Sequence, residues 1–356
     1  MKKNKVLILQ NELSSYNVDV YNLLAEKYEL TLGFYLKDKS QIKCNFQKIH
    51  LPYINKGCFV WIPGLKKIAE SFDLVCFVPD MHVLSYCLLP FGCHKYKTVT
   101  WSIGFRCSYK HPYIPNRKHC LADKIFQFLL SKCDANIFYM EKSKEFWKNT
   151  SLKMKNIFVA PNTTNVKNIK CNVMKKNTFL FVGTLYKGKG LDLLLDSYKN
   201  AIRNKLNVPI LKIVGDGEMR KDLENYINEY ELSNYVKLEG AIFDEEKLAP
   251  YFAEALLCIS PSQAGLSVPK SMGYGVPFVT KRDAITGGEI FHIHNGEDGY
   301  LYDSDDQLTM IMKDPIDNPQ KYVDMGIKAK IYYKNNASIN HMAEGAIQAF
   351  EYSLNK

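Results

Sequence analysis

The sequence predicts an α/β protein made of two doubly wound domains, and three observations carry that expectation. Short apolar runs of strand length alternate with helical stretches along most of the chain. The 356 residues, 46% of them hydrophobic, suffice for two α/β domains of ordinary size, whereas one such domain would be unusually large. A polar, Lys/Asn-rich, unpatterned stretch from Asn162 to Lys176 interrupts the alternation, and a new strand opens at Thr178.

In the first half, Val6 to Gln10 reads as a buried strand, Asn17 to Lys27 as a helix and Glu29 to Tyr35 as the next strand, a βαβ start. The intervening loop, Asn11-Glu12-Leu13-Ser14-Ser15-Tyr16, has no G-x-G-x-x-G, so no dinucleotide cofactor is expected there. It still lies at the carboxyl end of a strand, where open α/β sheets bind ligands. Glu12 is either a partner for an acceptor hydroxyl or a solvated loop carboxylate. Leu74 to Val78 and Thr98 to Trp101 supply further strands. Cys58 to Ile68 and Arg117 to Lys132 mix apolar residues with basic ones. Each reads either as a membrane-surface segment or as a packed helix with a basic outer face.

The net charge of +10 is unevenly spread: residues 1–170 hold 26 Lys/Arg against 12 Asp/Glu, and residues 171–356 hold 21 against 25. A basic first half fits an anionic surface such as a membrane leaflet or a lipid-linked diphosphate, or is a Lys-rich solvated face. Nucleic acid is not expected, since no recognised nucleic-acid module is present. No run approaches about 20 apolar residues, and the apolar core of MKKNKVLILQNEL is too short for a signal sequence. Ten scattered cysteines with no C-x-x-C pair read as reduced, small core residues, and no histidine meets two cysteines at zinc spacing. A cytoplasmic protein without a bound metal is the expectation. His292 and His294 read as a solvated pair.

The second half carries the chemistry. After the strand Thr178 to Val182 comes Gly183-Thr184-Leu185-Tyr186-Lys187-Gly188-Lys189-Gly190 and then an amphipathic helix, Leu191 to Asn204. Glycines let the backbone approach an oxyanion, while Lys187 and Lys189 offer point charge for a diphosphate. Cys258 to Thr280 reads as a strand, then the loop Gln263-Ala264-Gly265-Leu266 and a helix opening near Ser267. That helix has Pro269 in its first turn and stops at Gly275. The N–H groups of Gly265 to Val268 are aimed at one point, which suits a phosphate or diphosphate.

Strand, Gly-rich loop, helix and the run Met272-x-x-Gly275-x-Pro277-hydrophobic resemble the donor-binding core of family-4 retaining glycosyltransferases of the GT-B fold. The resemblance implies two Rossmann-like domains facing across a cleft, over residues 1–165 and 166–335, with a last helix, 336–356, crossing back to the first domain. Most members carry two glutamates eight positions apart, one by the transferred sugar and one on the nucleotide ribose. Here those positions hold Ser262 and Lys270, and Lys270 would take the ribose place.

Gly183, Lys189 and Gly190 match the family's G-R-L-x-x-x-K-G, with Thr184 in place of the arginine. Gly215-Asp216-Gly217 resembles the loop near the nucleotide base, and Gly287-Gly288-Glu289 resembles one that commonly carries a glutamate. Trp101-Ser102-Ile103-Gly104 resembles a W-x-x-G turn of bacterial polysaccharide enzymes, and Asp134 to Tyr139 and Ile157 to Asn162 resemble the last N-terminal strands. Asp303-Ser304-Asp305-Asp306 looks like the D-x-D metal motif of the other main glycosyltransferase fold. It precedes a helix pattern and reads as N-capping.

The function implied is transfer of a sugar from a nucleotide-sugar donor, UDP- or GDP-linked rather than CMP-linked. The acceptor would be a glycan or lipid-linked oligosaccharide at the cytoplasmic face of the membrane, in cell-surface polysaccharide synthesis. Transfer would be retaining and metal-independent, with Lys189, Lys187 and Glu289 as catalytic residues. Two other readings stand beside it: a non-catalytic GT-B glycan-binding protein and a GT-B sugar-nucleotide epimerase.

Overall fold

The computed structural model describes residues 3–40, 42–106, 120–148, 156–167 and 176–356. They form two compact units, one of Met1–Asn162 with Ile339–Lys356 and one of Thr163–Ser338.

The strands of the first unit are β1 (Lys5–Gln10), β2 (Leu13–Ser14), β3 (Glu29–Phe34), β4 (Asp38–Lys39), β5 (Gln47–His50), β6 (Ile54–Lys56), β7 (Phe59–Trp61), β8 (Leu74–Phe77), β9 (Lys97–Ser102), β10 (Ala135–Phe138) and β11 (Ile157–Val159). Seven of them make a parallel sheet ordered β11-β10-β9-β8-β1-β3-β5. Val6 to Leu9 are consecutive and all buried, as they must be in a sheet covered on both faces. The covering helices are α1 (Ser15–Lys27), α2 (Leu65–Ala69), α3 (Leu84–Cys87), α4 (Leu121–Ser131) and α5 (Lys142–Trp147).

The stretch from Cys58 to Ile68 is not one helix. Its first residues belong to the antiparallel hairpin β6–β7, which turns at Gly57 (φ 62°). Pro63 and Gly64 (φ 71°) then break the chain before α2. Of the Arg117 to Lys132 stretch, α4 accounts for Leu121–Ser131, and residues 117–119 lie outside the described residues. The cysteines are not all core: Cys76, Cys133 and Cys258 are buried, but Cys58, Cys93 and Cys120 are exposed, and those among the described residues are free thiols.

The second unit has β12 (Thr178–Val182), β13 (Ile210–Val214), β14 (Val236–Gly240), β15 (Ala255–Ile259), β16 (Gln263–Ala264), β17 (Phe278–Lys281), β18 (Ile285–Thr286) and β19 (Gly299–Tyr302). Its helices are α6 (Leu191–Ile202), α7 (Arg220–Glu229), α8 (Glu245–Glu254), α9 (Ser267–Gly273), α10 (Asp305–Asp317) and α11 (Pro319–Tyr332). Six strands form a parallel sheet ordered β14-β13-β12-β15-β17-β19. Phe179, Phe181 and Leu211 pack with α6 on one face, while Leu180 and Cys258 pack with α8 and α9 on the other.

The chain steps from β12 outward to β13 and β14, then returns to lay β15 on the other side of β12. The sheet therefore reverses direction between β12 and β15, and the crevice outside the carboxyl ends of those two strands is where such sheets bind ligands. The last helix, α12 (Ile339–Leu354), belongs to the first unit. Phe350 meets Tyr28 edge-on at 5.6 Å, Lys27 pairs with Glu351, and a Cβ at Gly345 would collide with the Val159 carbonyl oxygen.

Candidate functional site

The loops after β12, β13 and β15 meet at the reversal point through their backbones. The Gly183 N–H donates to the Val214 carbonyl (3.0 Å) and the Leu185 N–H to the Asp216 carbonyl (3.0 Å). A Cβ at Gly215 would run into the Gly183 carbonyl oxygen, and one at Gly217 into that of Leu185. Close approach of two backbones is what these glycines provide. Across the reversal, the Ser262 N–H donates to the Lys189 carbonyl (3.3 Å). A Cβ at Gly190 would run into Ser262 Oγ, and the left-handed backbone there (φ 70°) strains any side chain. Residues 183–190, 215–217 and 262–264 are thus one assembly.

Within it, Lys187 to Lys189 form a short 3-10 turn that ends at Gly190. Lys187 and Thr184 are exposed, whereas Lys189 is half-buried with its ammonium 5.8 Å from the Tyr186 ring centroid. Burial alone holds the Lys189 pKa below the ordinary lysine value, and among the described residues no carboxylate pairs with it. A partly desolvated cation with no carboxylate beside it is a binding group for an anion.

The loop after β15 is placed by side chains as well. The Tyr186 hydroxyl donates to Gln263 Oε1, and Ser260 Oγ donates to the Gln263 carbonyl (2.8 Å). Gln263 and Ala264 are buried and pair with β18, so the Gln263 amide is tied to Tyr186. Gly265, Leu266 and Ser267 are half-buried at the start of α9. Val268 is core, and its N–H, expected to face a diphosphate, instead donates to the Gly265 carbonyl (2.9 Å) and closes the first turn.

Three residues singled out in the sequence have partners that the sequence did not reveal. Lys270 Nζ lies 2.8 Å from Glu245 Oε2, and Tyr274 donates to the other oxygen of that carboxylate. Glu289 is buried, and its carboxylate accepts the Gly287 N–H (2.8 Å) and the Thr286 hydroxyl (3.1 Å). It thereby ties down its own turn beside the β16–β18 pair. His292 is not solvated: it is buried against Tyr332, and burial, aided by the neighbouring His294, lowers its pKa to about 4. Ser304 caps α10 by accepting the Gln307 N–H, with Asp305 and Asp306 in the first turn, while Asp303 pairs with Arg282. Tyr186 was within reach of sequence reasoning, since it lies inside the 183–190 loop. Glu245 was not, because it comes from a helix 25 residues before Lys270.

Residues 162–332 match the family model described as glycosyl transferases group 1. The second unit is a group 1 glycosyltransferase domain. An uncharacterized glycosyltransferase of Haemophilus influenzae is 25% identical over 290 residues, spanning 79% of this chain and 78% of the relative. One from Methanocaldococcus jannaschii is 29% identical over 133 residues, 36% of each chain. Among solved structures, a glycosyltransferase from Rickettsia africae matches with a TM-score of 0.73 at 14% identity over 100% of both chains. Anabaena HepE in complex with UDP matches with a TM-score of 0.71 at 14% identity over 98% of this chain and 99% of its own. WaaG, a glycosyltransferase involved in lipopolysaccharide biosynthesis, matches with a TM-score of 0.66 at 13% identity over 98% and 99%. The fold is that of the GT-B glycosyltransferases, with two Rossmann-like α/β units, as the motifs implied.

Proposed function

We propose that the group 1 domain binds a nucleoside-diphosphate sugar at the β12/β15 reversal and that the protein transfers the sugar to a glycan. The observation that carries this reading is Lys189, a half-buried cation with no carboxylate partner among the described residues, its ammonium beside Gly183 of the loop after β12 and its carbonyl bound by Ser262 of the loop after β15. Charge developing on a leaving diphosphate is what such a preorganised cation stabilises. HepE is described in complex with UDP, with UDP-glucose, and with UDP and glucose, which makes UDP-sugars the first donors to test. We read the transfer as retaining and independent of a metal ion. The role in polysaccharide assembly follows WaaG, whose description places it in lipopolysaccharide biosynthesis.

A lipid-linked acceptor on an anionic leaflet is the finer part of the proposal. Leu121, Ile125 and Phe128 recur at helical spacing and all stand exposed on α4, and Lys132 Nζ lies 5.0 Å from the Phe128 ring centroid. An apolar stripe bordered by lysines suits a membrane interface. No described helix is long and apolar enough to cross a membrane.

The test is a transfer assay with UDP- and GDP-sugars, run with and without EDTA, with product anomers assigned by NMR. Release of nucleotide and formation of a glycoside with the donor's anomeric configuration is the expected result. No nucleotide release from any donor would overturn the catalytic reading, and conversion of donor without acceptor would make the protein an epimerase.

A further inference from the structure

Two kinds of link cross the reversal between β12 and β15. The loop after β15 is held by its own backbone: the Ser262 N–H donates to the Lys189 carbonyl (3.3 Å), the Ile285 N–H donates to the Ser262 carbonyl (3.0 Å), and Gln263 and Ala264 pair with β18. The other link runs between side chains, from the Tyr186 hydroxyl to Gln263 Oε1. With the backbone already fixed, this bond is not needed to hold the loop. What it sets is the Gln263 amide.

Gln263 is 6% exposed, and the Tyr186 hydroxyl occupies the acceptor oxygen of its side chain. A planar carboxamide with its oxygen taken presents two N–H donors on the other arm. Gln263 Nε2 makes no hydrogen bond among the described residues. An unpaired donor on a nearly buried residue marks a place for a ligand oxygen. The ring that carries the hydroxyl is closely seated too. A Cβ at Gly188 would stand 2.6 Å from it, so the ring fills the space that a side chain at 188 would need. The Tyr186 carbonyl accepts the Lys189 N–H (3.0 Å), and the Lys189 ammonium lies 5.8 Å from the ring centroid. One tyrosine thus borders both a cation and an amide donor.

We propose that Tyr186 is a positioning residue: its hydroxyl sets the Gln263 amide so that Nε2 donates to a diphosphate oxygen, in support of the charge on Lys189. N–H donors and a cation fixed in one assembly stabilise an oxyanion more than either does alone. The reverse setting of the amide would meet the anion with a carbonyl oxygen and repel it. Without the Tyr186 hydroxyl the amide turns freely and presents either arm. The choice of a diphosphate as occupant rests on the donor reading above.

The experiment titrates the full chain with UDP, GDP, uridine and guanosine, read by calorimetry and ligand-observed NMR. It compares wild type with Tyr186→Phe, Gln263→Leu, the double variant of these two, and Gln263→Glu. Diphosphate binding is expected to weaken roughly tenfold in Tyr186→Phe and in Gln263→Leu, with nucleoside binding and melting temperature unchanged. The double variant should bind no more weakly than Gln263→Leu, because the hydroxyl acts through the amide. Gln263→Glu should bind more weakly than Gln263→Leu, because a carboxylate then meets the diphosphate. Unchanged diphosphate affinity in Tyr186→Phe overturns the proposal, as does a double variant weaker than Gln263→Leu. So does a parallel fall of nucleoside affinity, diphosphate affinity and melting temperature, which makes the bond a support for the loop alone. In each of these cases diphosphate binding by the wild type leaves the donor reading in place. If the wild type binds neither diphosphate, the donor reading falls and the proposal falls with it.

Discussion

The backbone N–H of Ser262 donates to the carbonyl oxygen of Lys189 across 3.3 Å. One short contact thereby fixes the loop after β15 to the loop after β12, on the two sides of the point where the sheet reverses direction. Lys189 owes its half-buried ammonium to this closure, with Tyr186 beside it and Gln263 held by the Tyr186 hydroxyl.

Replacing Lys189 by Ala should therefore leave the fold intact and remove most of the charge stabilisation offered to a leaving diphosphate. The expected loss is roughly 10²-fold in turnover, about 3 kcal/mol. Lys187→Ala should cost far less, because Lys187 is exposed and its charge is screened by solvent. Steady-state kinetics with a UDP-sugar, beside thermal melts, check both. Wild-type turnover in Lys189→Ala would remove this loop from the mechanism.

Two glycines hold the assembly closed, and neither should tolerate a methyl group. Gly190→Ala places a Cβ in a left-handed backbone position against Ser262. Gly215→Ala drives one into the Gly183 carbonyl. Each should cost about 1–3 kcal/mol of stability and weaken UDP binding at the same time. Gly265→Ala is the control, since nothing lies within 4 Å of the position its Cβ would take. Denaturant titrations and UDP titrations on the three variants make the comparison.

Much of this was open to sequence reasoning. Thr178 to Val182 and Ile210 to Val214 read as strands because buried parallel strands are continuous apolar runs. Ile339 to Leu354 read as a helix because its apolar residues recur at helical spacing. The glycines at 183, 190, 215 and 217 stood out because their spacing survives as motif. The β6–β7 hairpin did not read as strands, since its aromatics are exposed and have no core periodicity to declare them. The burial of His292 was equally hidden, because its 3-10 turn sends His292 inward while His294, two residues on, stays half-exposed beside Asp298.

Long-range pairing was also beyond the sequence, and the Lys270–Glu245 pair gives it a test. Both side chains are mostly covered, at 20% and 17% exposure, so removing one leaves the other charge short of partners. Lys270→Ala should lower stability by about 1–3 kcal/mol, and the double variant Lys270→Met with Glu245→Gln should recover most of it. Urea denaturation of the two single variants and the double variant measures the coupling. If Lys270→Ala instead leaves stability untouched and weakens only UDP binding, Lys270 serves the donor rather than the fold.

His292 should make the protein acid-labile through a defined pH window. Burial holds its folded-state pKa at about 4, against 6.5 for the free side chain. Above pH 6.5 the imidazole is neutral in both states and contributes no pH dependence. As the pH falls from 6.5 toward 4, the unfolded chain takes up a proton that the folded chain refuses, so stability drops with each step. The drop is complete once the folded form also protonates. Its upper bound is about 3 kcal/mol, from roughly 1.4 kcal/mol for each pH unit that separates the folded and unfolded pKa values. In His292→Gln this part of the slope should vanish while stability at pH 7 changes little, provided the amide keeps the contact with the Tyr332 hydroxyl that His292 Nδ1 makes at 3.2 Å. Denaturant titrations of both proteins at pH 7.5, 5.5 and 4.5 decide it, and parallel curves for the two proteins would assign the acid lability to other groups.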